Sequence, residues 1–288
     1  MYICHITYER NNSEPTKYMD STITPRVSIN INNHIAEVVL NRPEKMNAID
    51  IHMFDALIDA GKQVSEDPAV RVVILRGEGK AFCAGLDLSN FSMDENSVMN
   101  SIPLPDRTHG IANRWQQAVW TWHKCPVPVI ASVHGVSYGG GLQVMSGADI
   151  KLIHPDTKLS IMEVKWGIIP DMAGTQLWRH NVRQDILKEL TYTHKVFTAE
   201  ESVQYGFTTR IEDEPLQAAR TLAAKIASKS PSAIVKAKKL LNECYYLNEE
   251  EGLLLESVEQ EEIIRKHNQI EAVFSAMQKR PGNFKDFR

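Results

Sequence analysis

The 288 residues carry 43% apolar and 24% charged side chains, the balance of a globular chain that buries a sizeable core. A formal net charge of −4 lacks the basic surplus with which nucleic-acid binders hold phosphates, and no apolar run reaches the roughly 18–20 residues of a membrane span. The four cysteines, Cys4, Cys83, Cys125 and Cys244, share no ligand spacing, so no disulfide framework or metal site is expected, and a reducing cytoplasmic setting is.

Residues 1–25 read as a flexible polar leader without an apolar signal core, with Met19 a candidate first residue. "VSININNHIAEVVL" (27–40) predicts two short strands around an Asn-Asn turn. In 48–64 the apolar residues fall at helical spacing behind Asp50, a cap candidate. "VRVVILRG" predicts a strand buried on both faces, opening into a loop at Gly77 and Gly79. After a polar loop near 90–108 come a helix in "GIANRWQQAVWTWHKC", the strand "VPVIASVHG", a glycine run, a helix to about Ala148 and the strand "DIKLIH". This alternation to about residue 170 predicts an α/β fold with crossover connections, its core spanning 26–197.

From 198 the pattern is wholly helical. Thr198 and Glu201 make a capping box with Gly206 as the stop, and helices are expected over 214–228, 232–246 and 249–278. Because 198–288 has no strand layer of its own, it is expected to pack against another subunit. Lys236, Lys238 and Lys239 read as a solvated basic helix face.

"HGVSYGGGLQV" (134–144) admits two chemistries. Gly135-Val136-Ser137-Tyr138-Gly139 fits the G-x-S-x-G elbow, which would make Ser137 a hydrolase nucleophile with His180, His194 and Asp171 available as partners. Alternatively, glycines ahead of a helix leave backbone N–H groups free to hold a developing oxyanion. "GEGKAFCAGLDL" (77–88) is a second strand-to-glycine loop able to supply another donor. Cys83 has no basic partner nearby in sequence and reads as a small buried filler rather than a nucleophile.

Five stretches, "NRPEKMNAID" (41–50), "GKAFCAGLDL" (79–88), "HGVSYGGGLQVMSGADI" (134–150), "MEVKWGIIPDMAGTQ" (162–176) and "MQKRPGNFKD" (277–286), resemble in order and spacing the crotonase (enoyl-CoA hydratase/isomerase) superfamily. The resemblance implies a crotonase-like spiral of ββα units with a helical C-terminal region, assembled as a homotrimer or a dimer of trimers. It also implies an acyl-CoA substrate whose thioester enolate is stabilised by the backbone N–H groups of Leu86 and Gly140. Coenzyme A enters as part of the substrate, with no further cofactor. Lys45, Met46, Ala48 and residues Ala84, Gly85, Leu86, Asp87, Leu88 and Ser89 would line the CoA groove, with Gly140 beside it. Phe284 and Lys285 would cover the CoA of a neighbouring subunit. Trp166 and Phe82 would either line the acyl pocket or belong to the core.

A hydratase of this family resembles a two-glutamate machine, yet this chain has Gln143 at the first position and Glu163 at the second. An amide neither gives nor takes a proton in the useful range. Gln143 therefore either orients a partner in the pocket or sits on the helix surface. Asp171 either caps a helix beginning at Met172–Thr175 or resembles the second base of the dienoyl-CoA isomerases, although those also carry an acid at the Gln143 position. The expectation is proton transfer that shifts double bonds of an enoyl- or dienoyl-CoA. The alternatives are water addition to a 2-enoyl-CoA, the Ser137 hydrolase and a non-catalytic acyl-CoA binder.

Overall fold

Strand β1 (Val27–Asn32) pairs antiparallel with β2 (Ile35–Leu40) in the register Val27↔Leu40. Asn33 and His34 turn the chain at positive φ, one residue later than the Asn-Asn pair suggests. The computed structural model describes residues 25–90 and 103–287. The expected leader (Pro25 apart), Cys4 and residues 91–102 of the expected polar loop lie outside the described residues.

Helix α1 (Ile51–Glu66) starts where Asp50 accepts a hydrogen bond from Met53 N at 2.8 Å, and it buries Met53, Phe54, Leu57, Ala60 and Val64 on one face. β3 (Val72–Gly77) lies parallel between β2 and β4 (Val129–Val133), in the registers Ile35↔Val72 and Val73↔Val129. Its side chains alternate between two cores. Val73 and Leu75 join Phe54 and Trp122, while Val72 and Ile74 meet Ala219 and Ala223 on the opposite face. Each aliphatic side chain buried this way contributes about 1.5–3 kcal/mol, so the continuous apolar run of β3 belongs in the middle of the sheet.

Helix α2 (Arg114–Lys124), capped reciprocally by Asn113 and Gln116, follows β3. After β4 come β5 (Val136–Tyr138), α3 (Gly140–Ser146), β6 (Ile150–Ile153) and β7 (Lys158–Ser160). Then follow α4 (Gly174–Trp178), α5 (Gln184–Thr193) and α6 (Ala199–Tyr205). The capping box at Thr198 and Glu201 and the left-handed stop at Gly206 form as their spacing predicts. Next is β8 (Arg210–Ile211), which completes the main sheet in the order β1-β2-β3-β4-β6-β8, parallel from β2 onward.

A second, smaller layer pairs β5 with β7. It is extended by the bridges Cys83↔Ser137 and Leu159↔Phe197. Each turn of the chain thus contributes a main-sheet strand, a short side strand and a helix, which is the expected ββα spiral. The C-terminal helices are α7 (Pro215–Ala227), α8 (Pro231–Glu243), α9 (Glu249–Glu261) and α10 (His267–Met277).

The structure departs from the sequence reading in three places here. The segment after 198 is not wholly helical, because Arg210 and Ile211 add β8 to the edge of β6. The helix expected over 249–278 breaks between α9 and α10, with Arg265 at positive φ. There Asn268 turns inward to donate to Ser232 Oγ and Lys285 O, both at 2.9 Å. The basic face of α8 is solvated only at Lys239, which stays exposed, while Lys236 and Lys238 are largely covered. Lys238 Nζ donates to Val127 O at 3.0 Å and Asp149 Oδ2 at 2.7 Å, while Lys236 and Lys239 pair with the buried Glu259 of α9. Among the described residues no helix is long and apolar enough to cross a membrane.

Candidate active site

Asn47 joins the first two motifs into one wall. Its side chain is fully buried, and Nδ2 donates to Glu78 O at 2.9 Å, Ala81 O at 2.8 Å and Phe82 O at 3.2 Å, while Oδ1 accepts from Arg42 N at 2.8 Å. Arg42 Nη1 in turn reaches Ala48 O at 3.0 Å and Asp87 Oδ2 at 2.5 Å; against its partial burial, the Ser89 N–H on Oδ1 and then Arg42 hold the Asp87 carboxyl below its ordinary range. Ile49 N donates to Gly85 O, and Asp87 N donates to Ile49 O.

The glycines answer to close approach. A Cβ at Gly141 would lie 2.5 Å from Cys83 O, and one at Gly85, where φ is +94°, would lie 2.6 Å from Tyr138 O. The two loops therefore press backbone against backbone, and the same Cβ at Gly85 would be 3.7 Å from Gly140 N. Gly140 opens α3, so its N–H has no intrahelical acceptor. Among the described residues neither Gly140 N nor Leu86 N donates to a protein acceptor.

Leu86 and Gly140 both line a cavity of about 1390 Å³. Its floor includes Phe54 and Trp115, packed edge to face with centroids 4.8 Å apart, and Met172. Its mouth is apolar and open: Leu88, Leu104, Ile169 and Trp166 line it while remaining largely exposed. Lys165 Nζ lies 5.0 Å from the Trp166 ring centroid.

Gln143, Glu163 and Asp171 all line this cavity. Gln143 is fully buried, which ends the helix-surface reading. Its Oε1 accepts from Met172 N at 2.9 Å and Gly174 N at 3.0 Å, so Nε2 is turned to donate to Glu163 Oε1 at 2.6 Å. Glu163 sits on a single helical turn, Glu163–Trp166, and is 6% exposed; its Oε2 is buried with no partner among the described residues. Burial pushes the Glu163 carboxyl above the ordinary glutamate range, and the field of Asp171 adds to that rise against the hydrogen bond from Gln143. Burial likewise raises Asp171. Asp171 does not cap the following helix: α4 begins behind Ala173 with no side-chain cap, and the Met172 and Gly174 N–H groups are taken by Gln143.

Of the other expected site residues, Lys45, Ala48, Ala84, Gly85, Leu86, Asp87, Leu88 and Gly140 line the cavity. Met46 and Ser89 do not: Met46 faces outward at 45% exposure while its carbonyl accepts from Ala84 N, and Ser89 N closes on Asp87 Oδ1. Trp166 belongs to the cavity and Phe82 to the core. Phe284 and Lys285 lie on a tail held to its own chain, Phe284 O accepting from Arg71 and Lys285 N donating to Asn268. Phe54, Trp115, Met162, Ile169 and Met172 line the cavity without having been singled out. Their apolar, helical or loop character gave no chemical signal.

The hydrolase elbow is not assembled. Ser137 is the middle residue of β5, fully buried between Cys83 and Leu159, and it does not line the cavity. His180 packs tilted against Tyr245 with ring centroids 3.9 Å apart, and His194 ends α5. Cys83 is the expected filler: its Sγ donates to Asn47 O at 3.1 Å, and burial pushes its thiol up to about 12.

The sequence model of the family described as Enoyl-CoA hydratase/isomerase matches residues 30–287. The chain is 30% identical over 269 residues to the mitochondrial Delta(3,5)-Delta(2,4)-dienoyl-CoA isomerase of Dictyostelium discoideum, covering 90% of each. It is 32% identical over 211 residues to the mitochondrial protein of the same name from Mus musculus, across 71% of this chain and 64% of that one. Among solved structures, an enoyl-CoA hydratase from Bacillus anthracis superposes with a TM-score of 0.82 at 27% identity, over 91% of this chain and 99% of that one. With its ββα spiral and paired glycine loops, the chain belongs to the enoyl-CoA hydratase/isomerase family.

Proposed function

We propose that this protein shifts the double bonds of an enoyl- or dienoyl-CoA by proton transfer. The observation that carries the reading is the pair Glu163 and Asp171, two desolvated carboxyls on one cavity, with the charge of Asp171 raising Glu163 further. Desolvation of both, and the field of Asp171 at Glu163, make ionising both harder than ionising one, so the pair offers a base and an acid on one cavity. In a 3,5-dienoyl-CoA the base removes a proton from C2, the electron pair delocalises through the diene into the thioester oxygen, and the acid returns a proton at C6. The product is the 2,4-dienoyl-CoA, with no atom gained or lost. Proton sites four carbons apart suit two separate carboxyls, whereas a 3-enoyl to 2-enoyl shift needs only one.

The N–H groups of Leu86 and Gly140 are assigned to the enolate oxygen, a donor of this kind contributing about 2.7–4 kcal/mol. The CoA portion is assigned to the wall from Lys45 and Ala48 to Leu88, and the acyl chain to the floor of Phe54, Trp115 and Met172. Water addition is disfavoured because the Gln143 carbonyl already accepts two backbone N–H groups and has no room to hold a nucleophilic water. The C-terminal helices are assigned to a homotrimer or dimer of trimers, supported by the exposed Leu241, Leu253, Leu254, Phe274 and Met277.

The test is turnover of 2-enoyl-, 3-enoyl- and 3,5-dienoyl-CoA thioesters followed by ultraviolet absorbance and mass spectrometry. Appearance of the conjugated 2,4-diene without change of mass is expected. A gain of one water as the dominant outcome would replace the isomerase by a hydratase.

A further inference from the structure

Gln143 is placed where a carboxylate would have two backbone donors, yet it is an amide, and its three hydrogen bonds give the reason. Its carbonyl oxygen grips Met172 N and Gly174 N, one and three residues past Asp171, which would otherwise be buried without an acceptor. That grip leaves the NH₂ end facing Glu163 Oε1 at 2.6 Å, an orientation no rotation of the amide can reverse without opposing two N–H donors to its own N–H. Glu163 Oε1 is thereby held as an acceptor, and Oε2, which is buried and has no partner among the described residues, is the oxygen left to carry the proton.

We infer that Gln143 is a positioning residue that holds the loop of Asp171 and reserves one oxygen of Glu163, so that Glu163 exchanges its proton through Oε2 alone and stays ionisable. The inference rests on the assignment of Glu163 to proton transfer, but the state of the Glu163 carboxyl is measurable without turnover. The charged neighbours of Glu163 are few. Among the described residues Asp171 is the charged side chain whose field raises it, and α3 and α4 carry no ionisable side chain. On α5, Asp185, Lys188 and Glu189 are exposed, and Lys165 on its own turn lies over Trp166.

Gln143→Glu keeps the acceptor for Met172 and Gly174 and removes only the donor to Glu163. Two backbone N–H groups favour charge on the introduced carboxylate, so the proton shared by the new pair falls to Glu163. Gln143→Met keeps the volume and removes both interactions. The experiment is an infrared pH titration of carboxyl stretches in unliganded protein, with Glu163→Gln identifying the Glu163 band, alongside pH profiles of kcat on the dienoyl panel.

In Gln143→Glu the Glu163 band is expected to titrate at least one pH unit higher, and the ascending limb of kcat to move with it. The rate then falls at least tenfold at a pH on the original limb and recovers as pH rises. Gln143→Met is expected to lose kcat without that recovery. An unmoved Glu163 band in Gln143→Glu overturns the inference, whatever the activity. A moved band with no turnover of any thioester leaves the inference standing and instead removes the proposed reaction.

Discussion

Replacing Glu163 by Gln removes one ionisable group and little else. The new amide can keep its carbonyl toward Gln143 Nε2, which donates at 2.6 Å, so that contact survives the change. Glu163 Oε2 has no partner among the described residues, so the new NH₂ takes over a position that already made no hydrogen bond there. What is lost is the proton-carrying oxygen, and positioned acid–base groups contribute about 10²–10⁴-fold in rate, or about 3–5 kcal/mol of barrier. Stability should move the other way. The Glu163 pKa is raised on folding, so the wild type loses stability as pH climbs above the ordinary glutamate value of 4.5 and through the folded value. Glu163→Gln does not titrate there, and its melting temperature should gain on the wild type across that window and match it more closely in acid. Turnover of a dienoyl-CoA and thermal melts between pH 4 and pH 8 read both quantities. Activity within threefold of wild type would refute the assignment of Glu163. A rate loss accompanied by a lower melting temperature at every pH would refute the reasoning that the exchange is structurally silent.

Asp171→Asn should lower turnover as severely as Glu163→Gln while leaving the melting temperature within a degree or two, because α4 takes no cap from Asp171; a stability loss of about 1 kcal/mol with activity kept would restore the capping role. Gly141→Ala sets a Cβ 2.5 Å from Cys83 O and should cost about 1–3 kcal/mol or more, measured by urea unfolding. Cys83, with its thiol pushed up to about 12, should react with an aromatic disulfide reagent at pH 8 only after unfolding. A fluorophosphonate probe should leave Ser137 unlabelled, since it lies buried inside β5.

Features set by near neighbours were legible in the sequence. Asp50 and Thr198 cap helices because their partners lie three residues on, and the run 72–75 belongs in mid-sheet because every side chain there is apolar. The role of Gln143 was not legible, because its partners stand 20, 29 and 31 residues away and only the packing of α3 against the 171–174 loop brings them together. Ser137 misled for the same reason: a pentapeptide fixes a local turn, but pairing of β5 with Cys83 and β7 decides where the hydroxyl lies. Lys238 read as solvent-facing until Asp149 and the Val127 carbonyl, far off in sequence, closed around it. Strands of two or three residues, β7 and β8, are too short to show a period at all.

The most direct test of the central claim is turnover of a 3,5-dienoyl-CoA in deuterium oxide and, separately, in water labelled with heavy oxygen, with products analysed by mass and by NMR. Proton transfer between two carboxyls should place solvent deuterium on carbon in the 2,4-dienoyl product and no labelled oxygen in any acyl product. Rapid appearance of labelled oxygen in a 3-hydroxyacyl-CoA, with little deuterium at the distal carbon, would contradict the double-bond shift and make water addition the reaction of this site.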